Sequence, residues 1–494
     1  MENIEYSGYW WLPLKKNEQI AGTLTITNYE GIKLRLMGSF TGELESDVPI
    51  ILGFADKKII TLHGNLNCFS TISSSGFSSQ EYISDLALIG RHFANRNEIL
   101  FHKANVQYSY LFDWIELPKI KREEYFQENN NNKFKELRFV YTVPENIEVE
   151  IEKYGKFSVI YQFFEQNKLE SIDLKQYASL IIKPNEELSF KDFLSKFIHP
   201  LNNFLTFATD RANSITKLEV YSYYGHVNVD IENTNYKKEQ FPIEAIYNTY
   251  YPDRKEQDRL LYKHEMLFSI SDIDNLHSTL ERWFDFWEEL ASIFNLFFSI
   301  RYKPDMYLQN KFINLVYVAE SYHRRKYNRR TDKQNLPDDE YEKKRLAVLD
   351  CLDNLTNEEY KKWAKDKFQN DGLTLKQRLI DLTKLIPDIT NQLINDEDQE
   401  LFCAEIAATR NDFVHDKKTK NKKSAKSEEL PDLIESLSFI LQACFLAKEL
   451  GFTSEQCNQL LNRNPRCQYT LERYQYTLER VRKKKYFDCP KENL

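Results

Sequence analysis

An arginine, an asparagine and a histidine stand close together in "RNDFVH", as Arg410, Asn411 and His415. Lysines at 417, 418, 420, 422, 423 and 426 follow them, and a second basic run, "HRRKYNRR" (323–330), holds Arg324, Arg325, Arg329 and Arg330. These residue types suffice to cleave RNA. The RNA carries its own nucleophile, the 2′-hydroxyl, so the protein needs a base near neutrality, a cation on the phosphate and an acid for the leaving oxygen. Histidine titrates in that range without special tuning. Arginine stays charged and grips a phosphate through paired N–H bonds. The basic runs, with Lys417, Lys418 and Lys420 nearest the histidine, would hold flanking phosphates. No metal and no cofactor is called for. On a continuous helix Asn411 and His415 share a face, but Arg410 and His415, five apart, are rotated well away from each other. They meet in one cleft if the helix frays or tightens near Val414. By itself the pair has little specificity, because a helix end trailing a solvated loop has the same residues.

Other chemistries find less support. Glu320-x-x-His323 has the spacing used in di-iron bundles, but those sites need a second such motif and further glutamates. What remains for Glu320 and His323 is a place beside the cleft or a pair on a helix surface. "YWW" (9–11) reads as an aromatic platform or as core, and its position before a first strand favours core. The chain has no P-loop, no Gly-x-Gly-x-x-Gly and no Gly-x-Ser-x-Gly. Its seven cysteines are scattered at 68, 351, 403, 444, 457, 467 and 489 with no Cys-x-x-Cys, which argues against a zinc site or a disulfide framework.

The formal charge is −8, so a nucleic-acid site has to be a local patch. No apolar run approaches the ~20 residues of a membrane span. The closest, "LASIFNLFFSI" (290–300), is short and follows two glutamates. The N-terminus lacks a signal-peptide layout. A cytoplasmic location away from the membrane is expected.

The elements that must position these residues divide by glycine: 11 of the 13 fall in residues 1–225. Period-two stretches such as "GTLTITN" (22–28), "KIITLHG" (58–64) and "KFSVIYQFF" (156–164) predict an antiparallel sheet or barrel. Residues 189–210 predict a helix that Pro200 kinks or divides. From about 273 the period becomes helical. Ser278 and Glu281 form a candidate capping box, and a second helix from near Asp305 has one apolar face (Leu308, Phe312, Leu315, Val316, Ala319). Further helices are predicted over 339–352, 357–369, 374–385, 398–414 and 431–450, the last ended by Gly451. "ENNNNK" (128–133) reads as a polar loop, and the doubled QYTLER of 467–485 as a loosely ordered short helix or tail. The fold class is α+β and multidomain: a β-rich domain over 1–272, an all-α bundle over 273–464, and a basic helix or tail over 465–494.

"RNDFVH" at the end of a late bundle helix resembles the Arg-x4–6-His signature of the HEPN superfamily, with Asn411 in the polar place after the arginine. "NKFINLVYVAESYHRR" (310–325) resembles the first helix of the ApeA-like HEPN branch. "GYWWLPLKKNEQIAGTLTITNYEGIKLRLMGSF" (8–40) resembles the start of the N-terminal domain that accompanies it. The resemblance implies a bacterial anti-phage ribonuclease of abortive-infection type, with a sensor or regulatory N-terminal domain that answers a phage-derived trigger. It implies an RNA substrate, tRNA included, cut by a HEPN homodimer in which Arg410 and His415 are catalytic and Asn411 assists. The rival readings are a non-catalytic HEPN-like dimerisation or binding module and a toxin–antitoxin partner.

Overall fold

The computed structural model describes residues 3–28, 30–40, 47–71, 78–117, 120–126, 134–168, 170–226, 240–249, 260–327, 340–354, 357–368, 373–391, 396–415 and 424–487. The chain forms two compact units, Met1–Glu281 and Arg282–Leu494. The 128–133 loop lies outside the described residues.

In the first unit the strands are β1 (Ile4–Trp11), β2 (Ile20–Thr27), β3 (Gly31–Leu36), β4 (Asp47–Ala55), β5 (Lys58–Thr71), β6 (Ser79–Ile89), β7 (Leu100–Phe101) and β8 (Lys103–Tyr108). They continue with β9 (Lys121–Phe126), β10 (Phe134–Val140), β11 (Ile147–Ile151), β12 (Gly155–Lys168), β13 (Ser171–Lys183), β14 (Leu188–Ser189), β15 (Ile215–Tyr221) and β16 (Ile243–Tyr247). The order β6-β3-β2-β1-β4-β5 is closed by β5 pairing with β6, giving a barrel. One strand also launches the rest of the sheet. β6 pairs with β3 through Gln80–Ser84 and with β16 through Leu86–Ile89, and from β16 the sheet continues β15-β8-β13-β12-β11. Alternation explains the barrel: Leu24 and Ile26 of β2 and Ile32, Leu34 and Leu36 of β3 face inward, with polar residues between them.

Trp10 is the centre of that core, fully buried, its indole N–H donating to the Gly22 carbonyl at 3.1 Å. Gly53 makes room for it, since a Cβ there would stand 2.3 Å from the ring. Trp11 is buried and Tyr9 is 56% exposed, so "YWW" is chiefly core. The 189–210 stretch is helical, as α2 (Phe190–Phe193), a π turn (Leu194–Ile198) and α3 (His199–Thr209), after the single turn α1 (Leu111–Trp114). Pro200 stands in the first turn of α3, directly after the π turn, so the run is divided where its hydrogen bonding changes from five-residue to four-residue spacing.

The second unit is helical. α4 (Leu276–Tyr302) crosses the division between the units, and α5 (Leu308–Lys326), α6 (Glu340–Asp353), α7 (Glu358–Phe368) and α8 (Leu375–Lys384) follow. Then come α9 (Pro387–Asn391), α10 (Asp396–His415), α11 (Leu430–Cys444), α12 (Ser454–Arg463) and α13 (Pro465–Phe487). The cap of α4 corrects the expected Ser278–Glu281 box. Asn275 accepts the Ser278 amide at 3.0 Å, which satisfies the first turn three residues earlier. α5 begins at Leu308 rather than Asp305, with Phe312, Leu315, Val316 and Ala319 buried. Gly451, at φ +79°, ends the helical run that continues past α11 through a π turn, Phe445–Glu449.

Two corrections concern the C-terminal end. Among the described residues Leu430–Glu449, not 290–300, is the stretch long and apolar enough to cross a membrane, and 83% of its most apolar window is buried. The QYTLER repeat is not a loose tail. It lies in the 23-residue α13, where Thr470 and Thr477, seven apart, are buried at 4% and 0% exposure. The repeat's two arginines share the purpose: Arg473 binds Asp432, and Arg480 binds Glu405 at 3.0 Å and Glu429 at 2.6 Å.

Candidate active site

The helix carrying the motif is held at both ends. Near its start Glu400 pairs with Lys376 of α8 at 2.8 Å, and Gln399 donates to Thr383. Near its end Phe413 packs edge-on against Phe312, in the first turns of α5, with ring centroids 5.9 Å apart. α10 therefore runs antiparallel to α5, whose far end meets α8 through His323. The buried side of α10 consists of Phe402, Cys403, Ile406 and Ala408. Burial pushes the Cys403 thiol up, so it stays protonated and is core rather than nucleophile.

Helical geometry persists through His415. Positions 410 and 415 are thus separated by about 140° around the axis and about 7.5 Å along it, while 411 and 415 differ by only about 40°. The described residues show how the gap narrows. The half-buried Arg410 turns its guanidinium toward the exposed Asn411, donating from Nη1 to Oδ1 at 3.2 Å. The cationic head is therefore drawn to the side chain that shares the helix face of position 415. Arg410 makes no ion pair with a carboxylate among the described residues, so its charge is available to an anion. Cations suit this place, because carbonyls left unbonded at a helix C-terminus carry negative partial charge. Thr409 fixes the neighbourhood. Its hydroxyl donates to Glu405 O at 2.7 Å and accepts the Ala425 amide at 2.8 Å, tying Ala425 beside the motif.

The structure does not bring Glu320 and His323 to this end. His323 is eleven residues beyond Phe312, about 16 Å along α5. It is 1% exposed, and its Nδ1 accepts from Arg378 Nη1 at 3.1 Å. Arginine can only donate, so the ring is neutral and Nε2–H donates to Asp381 Oδ2 at 3.0 Å. Glu320 pairs with Arg324 at 2.9 Å. Arg324 is largely exposed, and Arg325 donates to the Glu289 carbonyl at 2.7 Å. Arg329, Arg330, Lys417, Lys418 and Lys420 lie outside the described residues, as does the His415 side chain. Among the described residues no group of three or more His, Cys, Asp or Glu is arranged to hold a metal.

A buried polar network close to His323 was not anticipated. Tyr322 donates to Glu449 Oε1 at 2.5 Å, and Lys326 reaches Glu449 at 3.2 Å and Glu289 at 2.5 Å. Burial and the Glu449 charge push the Tyr322 phenol far above its usual range, so it remains the donor. Burial disfavours the Lys326 ammonium, but Glu289 and Glu449 hold its pKa above the ordinary value. One sequence signal was available. Arg378 and Asp381, three apart on one face of α8, are the two groups that clasp His323.

The family model described as ApeA N-terminal domain 1 matches residues 5–283, and the one described as Apea-like HEPN matches residues 313–456. No curated protein and no solved structure matches the chain. The second match takes in α10 with Arg410, Asn411 and His415, and the first extends over more than half of the chain. The chain belongs to the ApeA-type family, an N-terminal ApeA domain followed by an Apea-like HEPN domain.

Proposed function

We propose that this chain is an endoribonuclease of anti-phage defence that cuts RNA without a metal ion. The ApeA-like HEPN domain places it in a family of anti-phage HEPN nucleases, and the residue chemistry supplies the rest of the reading. Arg410 binds the scissile phosphate, Asn411 holds the guanidinium, and His415 moves protons. The 2′-oxygen bonds to phosphorus as the bond from phosphorus to the 5′-oxygen breaks. The 2′-hydroxyl proton goes to a base and an acid protonates the 5′-oxygen, leaving a 2′,3′-cyclic phosphate and a 5′-hydroxyl. The observation that carries this reading is an arginine with no carboxylate partner among the described residues, drawn by Asn411 toward the face of position 415, on the last turns of the HEPN helix.

Base and acid act on opposite sides of the phosphorus, yet one chain supplies one motif histidine. A two-fold dimer with α10 beside its axis would provide both. Phe413 and Val414, 40% and 51% exposed next to the motif, are apolar residues suited to such a contact. The test is to sequence cellular RNA ends after expressing wild type and His415→Ala to equal levels. New ends with cyclic phosphates in wild type alone are expected. Identical end profiles would refute the reading.

A further inference from the structure

The sheet that extends from the barrel has three lysines in one cross-strand row. β12 pairs with β13 so that Lys156 faces Lys183. The register pairing Ile182 with Ala104 sets Lys183 beside Lys103 of β8, and Lys103 in turn faces Tyr221 of β15. Residues directly opposite on neighbouring antiparallel strands share a face, so these side chains lie together. Like charges so placed repel, and a protein usually answers with acids. Here the answer is incomplete. Lys156 is bound to Glu148 at 2.8 Å. Glu219, a carboxylate whose charge favours the Lys103 ammonium, is engaged by Lys217 at 2.6 Å and by Asn105 at 3.0 Å. Among the described residues Lys103 and Lys183 make no ion pair. The Lys103 ammonium instead stands 3.5 Å from the centre of the Tyr221 ring. Burial, and then the charge of Lys183, hold its pKa below the ordinary lysine value.

We infer that Lys103, which stands over the Tyr221 ring, and its cross-strand neighbour Lys183 bind the terminal phosphate of a phosphate-monoester ligand. Adjacent strands are about 4.8 Å apart, so two ammonium groups rising from neighbouring positions can grip one phosphate from two sides. The charges also match. A phosphate monoester carries about −1.5 to −2 at neutral pH, enough for both lysines, whereas a carboxylate or a phosphodiester carries one charge and leaves a cation unanswered. Lysine binds phosphate as a point charge, without the planar fork of arginine, which suits a group presented end-on. Free nucleotides and phosphorylated strand ends share this chemistry. The inference concerns the first unit and is independent of the ribonuclease reading.

Thermal unfolding of the full chain tests it, because a ligand that binds only the folded state raises the melting temperature. AMP (a monoester) and cyclic AMP (a diester with the same base) are compared at equal ionic strength, alongside a short RNA with and without a 5′-phosphate. AMP, or the 5′-phosphorylated RNA if strand ends are the source, should raise the melting temperature of wild type. Cyclic AMP should not, and any shift from the unphosphorylated RNA, which reports phosphodiester binding by the HEPN unit, is subtracted from that of the phosphorylated strand. The shift should vanish in Lys183→Gln, an exposed position whose replacement leaves the fold intact, and in Lys103→Gln. It should persist in Lys217→Gln. Lys183→Gln without ligand should itself melt slightly higher than wild type, since a repulsion is removed. Equal shifts with monoester and diester, a shift that survives Lys183→Gln, or no shift with any phosphate would each overturn the inference.

Discussion

Arg410 and His323 are both charged-type residues on HEPN helices, and their surroundings assign them opposite duties. Arg410 is half-buried, bonds a neighbouring amide and meets no acid among the described residues. His323 is sealed between Arg378 and Asp381. Truncating Arg410 should therefore cost little stability but abolish cleavage. Arg410→Lys keeps the charge but loses the fork, and about a tenfold or greater loss of activity is expected. Near-wild-type turnover in Arg410→Lys would mean that charge alone suffices. His323→Ala should do the reverse. It strips a buried arginine of one acceptor and Asp381 of one donor, and should cost about 2–3 kcal/mol in urea unfolding, with activity per folded molecule retained. A stable His323→Ala protein with no activity would move this histidine into the catalytic machinery.

At the scale of elements, much was legible from periodicity. The strands of the barrel alternate cleanly, and the helices of the bundle present apolar faces every three or four residues, so type and order could be read. Gly451 and the buried face from Phe312 to Ala319 were equally plain. What escaped depends on partners distant in sequence. No local pattern says that β6, after its hairpin with β5, also pairs with the distant β3 to close the barrel, or that it serves β3 and β16 along one side. Nor does the short QYTLER repeat announce that its threonines are buried and its arginines meet acids on α10 and α11. The candidate site was legible as residue types, but the bond from Arg410 to Asn411 depends on rotamers. The α13 contacts lead to a prediction. Glu405 is 2% exposed and pairs with Arg480, so Arg480→Ala should destabilise the helical unit by about 3 kcal/mol. Arg480→Lys should recover part of it, and an unchanged denaturation midpoint for Arg480→Ala would return α13 to a dispensable tail. The barrel unit offers a pH test. Burial holds His63, His92 and His199 below the ordinary histidine value. The unfolded chain then binds more protons than the folded one once pH falls through about 6.5, so stability present above that pH is lost below it. The melting temperature of this unit should fall between about pH 7 and about pH 5.5, and His199→Gln should flatten the slope. A melting temperature independent of pH over that range would contradict the assignment.

For the whole molecule the decisive question is how many chains make one active site. Proton removal from the 2′-hydroxyl and proton delivery to the leaving oxygen are separate tasks, and each chain brings one motif histidine. With base, acid and two guanidinium groups from two chains, the chemistry is complete without a metal, and EDTA should leave cleavage unchanged. Inhibition by EDTA with rescue by Mg²⁺ would overturn that mechanism whatever the oligomeric state. The shared site has its own test, a mixed dimer of wild type and His415→Ala purified through a different tag on each chain. If both histidines serve one phosphate, the mixed dimer should fall close to the activity of the mutant homodimer, because every site lacks one partner. Independent protomers would instead retain about half, since removing one of two equal and uncoupled sites leaves the other intact. Val414→Asp sharpens the choice by placing a charge on the exposed apolar residue beside the motif. A composite site predicts dissociation and loss of cleavage together, with neither Arg410 nor His415 altered. A fully active Val414→Asp monomer would show that one chain carries both proton transfers, and the second acid or base would then have to come from elsewhere in the same bundle.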